Sequence, residues 1–169
     1  MDKLWAPWRM EYITHTVIEE SEECIFKIGD DPSGDKQRLV LYRGKTAFII
    51  MNKYPYNNGH LLVAPFRHVG DFCELTDDEI MEMQKLLGLC VKAMKACMFA
   101  QGFNIGLNLG RVAGAGVDDH IHYHILPRWS GDTNFLPVFG EVKVISEALD
   151  KTYDRIKEQM DILLSDDGV

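Results

Sequence analysis

Three of the chain's six histidines stand at every second position in the stretch Asp119-His120-Ile121-His122-Tyr123-His124-Ile125-Leu126-Pro127-Arg128-Trp129. A period of two is the period of a strand, so the three imidazoles leave one face while Ile121, Tyr123 and Ile125 enter the other. Imidazole is a metal ligand, a proton carrier and a nucleophile near neutral pH, and rings held side by side repel once more than one is protonated. Two chemistries are open to such a strand face, metal binding and catalysis at a ring nitrogen. In the catalytic reading His122, flanked by its two same-face neighbours, is the nucleophile. It needs one ring nitrogen bare and the other protonated and held, and nearby backbone carbonyls can do the holding. Imidazole attacks phosphorus to give a phosphoramidate that a second acceptor opens. In the metal reading, zinc is usually four-coordinate and a CxxC pair would complete the set. The chain instead has Cys24-Ile25-Phe26-Lys27, with a lysine where the second thiolate would stand, which weighs against structural zinc.

The elements that must position these histidines are readable in outline. Residues 110–116, Gly110-Arg111-Val112-Ala113-Gly114-Ala115-Gly116, form a small-residue loop feeding the histidine strand. Its glycines would let backbone N–H groups face phosphate oxygens, although the GxxxxGK[ST] pattern of a P-loop is absent. His60 opens a strand at 61–65 that Pro65 stops, and it would reach the end of the histidine strand if the two pair. His68, beside Arg67, reads as an ordinary surface histidine. Apolar segments at 39–42 and 46–51 flank Arg43-Gly44-Lys45 as a hairpin, and residues 29–37 read as a surface loop. Thr76-Asp77-Asp78-Glu79 is a capping box. It starts a helix running to about residue 99, with Ile80, Met83, Leu87, Val91, Met94 and Met98 as its apolar stripe. Residues 103–109 alternate as a strand. A final helix over about 145–164 carries a seam of Leu149, Tyr153, Ile156, Met160 and Leu163. About five strands and two main helices without regular alternation predict an α+β domain with an antiparallel sheet. The whole of 1–169 is expected to be one domain, with an N-terminal aromatic arm over 1–20 that includes Trp5 and Trp8.

The net charge of −8 and pI near 5.2 exclude the basic surface that non-specific nucleic-acid binding requires. A locally positive pocket for a small anion remains compatible with them. Cys24, Cys73, Cys90 and Cys97 show no paired spacing, and Cys90 and Cys97 read as small core residues. No apolar run approaches the roughly 20 residues of a membrane span. The start lacks the apolar run of a secretion signal, so a cytoplasmic location is expected.

The motif resembles the signature of the histidine triad family, H-φ-H-φ-H-φ-φ with φ hydrophobic, which His120-Ile121-His122-Tyr123-His124-Ile125-Leu126 satisfies throughout. Asn58-Gly59-His60-Leu61-Leu62-Val63-Ala64-Pro65 agrees as well. Leu4-Trp5-Ala6-Pro7-Trp8-Arg9-Met10-Glu11-Tyr12-Ile13, the loop at 111–116 and Pro127-Arg128-Trp129-Ser130-Gly131-Asp132-Thr133-Asn134-Phe135 resemble the branch that includes bacterial diadenosine tetraphosphate phosphorylases. The resemblance implies a nucleotide-binding homodimer, each subunit giving a five-stranded antiparallel sheet to a joined larger one. It implies His122 as nucleophile, His124 on the phosphates and leaving group, His120 positioning the nucleophile and His60 in support. Asn52 would contact the ribose and Asn108 the α-phosphate region, while Phe26, Phe48 and Ile50 would hold the base. Gly114 and Gly116 belong to the phosphate loop, Gly116 standing where many members place glutamine or serine. Many members bind zinc through CxxC and histidines matching His68 and His120. Because Lys27 breaks that set, no metal and no cofactor are expected here. The expected activity is transfer of a nucleotidyl group from an adenosine-containing dinucleoside polyphosphate to inorganic phosphate. The alternatives are transfer to water, hydrolysis of nucleoside phosphoramidates, and nucleotide binding for regulation with little turnover.

Overall fold

A left-handed Leu39 marks the entry to the sheet. It closes a four-residue helix, α1 (Asp35–Arg38), and turns the chain into β1 (Val40–Arg43). The computed structural model describes residues 24–132 and 147–166. The expected arm at 1–20 and the tail beyond 166 lie outside the described residues. α1 corrects the expectation of a plain loop at 29–37. Asp31 accepts from Ser33 N–H, Pro32 takes the first position of a 3-10 turn, and that turn runs into α1. This is the start signal that an acidic cap followed by proline provides. Asp35 then grips Arg43 with both carboxylate oxygens, tying the helix to the strand it feeds.

The remaining elements are β2 (Ala47–Met51), β3 (Leu61–Pro65), α2 (Asp77–Met98), β4 (Gly102–Leu107), β5 (Tyr123–Arg128) and α3 (Leu149–Asp166). They make a five-stranded sheet of order β1-β2-β3-β5-β4, antiparallel at every pairing. The α+β expectation and its two substantial helices hold. β4 ends two residues before the expected 109. The histidine segment is a ladder strand only from Tyr123 onward, and His120 to His122 are an approach to it, held where Ile121 N–H donates to Val69 O at 2.8 Å.

Alternation gives each sheet face its own cluster. Ala47, Ile49, Met51, Leu61, Val63 and Ile125 face α2 and α3, with Ile121 and Tyr123 joining that core. Phe48, Leu62 and Ala64 face the other way, where Val40, Phe26 and Ile28 cover them. α2 carries the expected capping box, with Glu79 N–H on Thr76 Oγ1 and Thr76 N–H on Glu79 Oε2. Its buried stripe, Met83, Leu86, Leu87, Cys90, Ala93, Met94 and Met98, is turned slightly from the expected one, leaving Ile80 exposed. Tyr153 of α3 crosses the core to donate its hydroxyl to Val40 O at 2.8 Å.

Two contacts fix the parts nearest the histidines. Glu82 on α2 accepts from the N–H groups of Lys45, Thr46 and Ala47 and from the Thr46 hydroxyl, clamping the β1–β2 turn. A Cβ at Gly44 would stand 2.5 Å from that carboxylate, so the turn needs glycine. Ahead of β3, Gly59 has φ +75° and lies against Met98 and Pro127. Asn58 is buried beside Thr152 of α3, whose hydroxyl donates to Glu147 at 2.7 Å. The backbone leading into His60 is thereby packed between both helices. Among the described residues no helix is long and apolar enough to cross a membrane.

Candidate active site

β3 and β5 pair antiparallel, with Leu62 opposite His124 and Leu61 opposite Ile125. That register brings His60, at the mouth of β3, to His124, and their rings meet with Nε2 of His60 2.9 Å from Nδ1 of His124. His122 sits edge-on to His124 at a centroid distance of 4.9 Å, and Phe26 lies against His122 at 4.7 Å and against His120 at 5.0 Å. His60, His120 and His122 are buried, while His124 is partly so.

The proton on each ring is dictated by partners that can only give or only take one. The carbonyl of His120 accepts, so the Nδ1 of His122, 2.8 Å away, carries the proton. Nε2 of His122 is therefore the bare nitrogen with the lone pair. The carbonyl of Pro65 likewise makes Nε2 of His120 a donor at 2.9 Å, leaving its Nδ1 lone pair 3.3 Å from Cys24 Sγ. Tyr56 N–H donates to Nδ1 of His60 at 3.1 Å, so His60 holds its proton on Nε2 and gives it to Nδ1 of His124. His124 then carries its own proton on Nε2. That atom is buried and has no hydrogen-bond partner among the described residues. A buried donor without an acceptor costs about 1–3 kcal/mol, a penalty removed by any anionic oxygen placed beside it. A bare nucleophilic nitrogen and an unsatisfied donor on adjacent rings can attack phosphorus and stabilise the charge that builds on its oxygens.

Burial sets the electrostatics. It lowers the pKa of His120 and of His122, in each case against the raising effect of the carbonyl bond, and His124 falls to about 4 by burial and then by the neighbouring His122. The rings are neutral at pH 7, as a nucleophile and a neutral donor require.

The other expected contacts are distributed around this centre. Asn52 turns its amide nitrogen to Nδ1 of His60 at 3.2 Å, the oxygen accepting from Tyr54 N–H. Asn108 is half-buried at the end of β4, 3.5 Å from Gly114 O. Of the expected base-holding residues, Ile50 is partly exposed, whereas Phe26 and Phe48 are fully buried, Phe26 as the floor under His120 and His122. The glycine loop differs from expectation. The N–H groups of Ala113, Gly114 and Ala115 bond to Gly110 O and Arg111 O inside a 3-10 turn, so they do not face outward. Gly116 follows on the exposed side of that turn, and Arg111 pairs with Asp118 at 2.9 Å.

Sequence reasoning missed two features. One is Tyr56; nothing in the sequence marks it, because its importance comes from the fold of 52–60 around His60. The other is that three donors of the metal-ligand set named by the resemblance, and set aside because of Lys27, are brought together. Cys24 Sγ and one nitrogen each of His68 and His120 all lie within 4.8 Å of one another. Lys27 does remove the second thiolate, yet the expectation of no metal overlooked that the remaining three donors are already gathered. Pro65 O accepts from Nε2 of His120 and so turns its Nδ1 towards Cys24, as a carbonyl behind a metal-binding histidine does, and Asp119 lies 3.4 Å from His68. A thiolate and two imidazoles suit zinc.

Comparison with known proteins agrees with this geometry. The family model described as the HIT domain matches residues 33–131. The AP-4-A phosphorylase of Mycobacterium tuberculosis is 37% identical over 157 residues, which span 90% of this chain and 80% of that protein. A HIT-like protein of Methanocaldococcus jannaschii is 38% identical over 125 residues, 74% of this chain and 93% of its own length. The crystal structure of a histidine triad nucleotide-binding protein from Sulfolobus tokodaii superposes with a TM-score of 0.63 at 28% identity, covering 83% of this chain and 93% of that one. The chain belongs to the HIT-domain family, on a branch close to AP-4-A phosphorylase-like proteins, and is an enzyme of the transferase or hydrolase type.

Proposed function

We propose that the chain is a phosphorylase of dinucleoside polyphosphates such as diadenosine tetraphosphate. His122 Nε2 attacks the α-phosphorus, the P–O bond to the polyphosphate breaks, and the nucleotide remains on the nitrogen. Inorganic phosphate then attacks the same phosphorus, the P–N bond breaks, and a nucleoside diphosphate leaves. The observation that carries this reading is the 2.8 Å approach of His122 Nδ1 to the His120 carbonyl, which puts the proton on Nδ1 and leaves Nε2 a neutral nucleophile on the ring next to His124, whose buried Nε2 has no partner among the described residues. The relative named AP-4-A phosphorylase supports the choice of substrate and acceptor. Incubation with diadenosine tetraphosphate tests it. Phosphate-dependent ADP plus ATP is the expected result; ATP plus AMP regardless of phosphate would make the chain a hydrolase, and no turnover would leave it a binding protein.

The same reading includes two further parts. A zinc ion held by Cys24, His68 and His120 would act as a structural clamp between the segment carrying Phe26 and the first triad histidine, and no chemical step depends on it. Protein purified without chelator should then carry zinc at close to one per chain, falling sharply in Cys24→Ser and His68→Ala. Elemental analysis giving below about a tenth of an ion per chain after zinc loading would remove the clamp. The second part is a homodimer. β4 has only β5 beside it among the described residues, and Asn104, Ile105 and Gly106 are exposed on it, an edge that invites a second copy. Light scattering should give the mass of two chains, and a single-chain mass would exclude this arrangement.

A further inference from the structure

Tyr56 is half exposed, yet it is not a stray surface aromatic. Its ring lies over His60 at a centroid distance of 4.8 Å and over His124 at 5.9 Å, the latter stacked within 23°. Its peptide N–H is the donor that fixes the tautomer of both rings. Beyond the ring a depression of about 250 Å³ opens, lined by Tyr56, His124, Leu126 and the β4 side that includes Asn104, Gly106 and Asn108. Of the proton-locked pair, His124 lines this depression while His60 lies fully buried behind it, and the Tyr56 ring packs on both.

From this arrangement we infer that Tyr56 determines the acceptor, favouring an oxyanion over water; the inference rests on the nucleotidyl-His122 reading. In an in-line displacement the acceptor enters from the side by which the leaving group departed, and the donor placed to meet that leaving group is His124. The two acceptors make different demands there. A phosphate dianion attacks with an oxygen that is already charged: the new P–O bond forms, the P–N bond breaks, the electron pair returns to Nε2 of His122, and no base is required. Water forms the same bond and breaks the same bond but must also lose a proton. His124 and His60 cannot take that proton while locked, since Nδ1 of His124 faces the His60 proton and Nδ1 of His60 faces Tyr56 N–H. The ring of Tyr56, with Leu126 across the cavity, keeps water from reaching these nitrogens and loosening the lock. Excluding water in this way also protects a reactive intermediate from hydrolysis.

The test reads the AMP-to-ADP ratio formed from diadenosine tetraphosphate at one fixed phosphate concentration. Both products leave from one intermediate, so the ratio depends neither on the rate of the first step nor on the fraction of folded enzyme. Wild type should yield mainly ADP. Tyr56→Ala should raise the ratio by about tenfold or more, equivalent to one decade of relative barrier, and Tyr56→Phe should stay within about twofold of wild type because the ring is retained. A Tyr56→Ala ratio indistinguishable from wild type overturns the inference, as does an equal rise in Tyr56→Phe, which would assign the effect to the hydroxyl. Trapping separates the two levels of failure. If wild type forms nucleotidyl-protein and the ratios do not move, only the role of Tyr56 falls. If no nucleotidyl-protein forms, the parent reading falls and takes this one with it.

Discussion

His122→Ala should abolish nucleotidyl-protein and lower turnover of diadenosine tetraphosphate by about four orders of magnitude or more. The size follows from what is removed. In the proposed reaction the Nε2 lone pair is the attacking group, and the other rings offer no substitute. Nε2 of His120 is bonded to Pro65 O, and His124 presents a proton where His122 presents a lone pair. His124→Ala should behave differently. It deletes a donor to the phosphate oxygens and leaves the nucleophile in place, so labelled protein should still form, slower by about two to three orders of magnitude. The measurement is acid-quenched versus alkali-quenched protein after reaction with radiolabelled substrate, since a P–N bond to histidine is acid-labile. His122 packs on Phe26, so a second variant, His122→Asn, which retains much of the volume, guards against reading lost packing as lost chemistry. Label persisting in either His122 variant would remove His122 as nucleophile.

The residues of the centre were legible in the sequence to different depths for physical reasons. Period-two spacing placed His120, His122 and His124 on one side and sent Ile121 and Ile125 to the core, an alternation that runs through the approach at 120–122 although the ladder begins only at Tyr123. His60 was legible through its position at a strand mouth, and the β3–β5 register then carried it to His124. Glu79 was legible as a cap, though not as the partner of Arg67, whose guanidinium holds that carboxyl down at about 2. Tertiary features stayed hidden. Cys24 and His120 are 96 residues apart, yet their side chains lie 3.3 Å from one another, and no local pattern encodes such a meeting. Counting thiolates at CxxC spacing asked whether a motif was complete, when the relevant question was which donors the fold gathers. In the glycine loop only the N–H groups of Ala113, Gly114 and Ala115 depart from the expected outward direction. Glycines permit outward N–H groups but do not compel them, and the turn at 110–115 satisfies its own. The short helix after Asp31-Pro32 was a missed local signal rather than a hidden one.

Acid should weaken the fold through the same rings to which the proposed chemistry is assigned. His124 titrates at about 4 in the folded chain because burial and His122 disfavour its charged form, whereas an unfolded histidine titrates near 6.5. As pH falls the unfolded chain takes up this proton first, so the contribution of His124 is complete above about pH 6.5, shrinks as pH falls towards about 4, and is lost below that. Discounted for its partial exposure, the loss is about 2 kcal/mol. His120 and His122 are shifted in the same direction and add to the slope. Glu79, held at about 2 by Arg67, loses its contribution only at lower pH, as it protonates between the ordinary carboxylate range and about 2. Urea midpoints measured from pH 7.5 to 4.5 should therefore fall for wild type and fall less steeply for His124→Gln; parallel curves would show that His124 is not the group being protonated. The catalytic counterpart is read in the first half-reaction, where the titration of inorganic phosphate plays no part. Protonation of His122 at Nε2 removes the lone pair, and burial delays that protonation. Labelling of wild type should thus stay level as pH drops through 6.5 and decline only below it, while an acid limb beginning at or above 6.5 would show that the nucleophile is not held neutral by its surroundings.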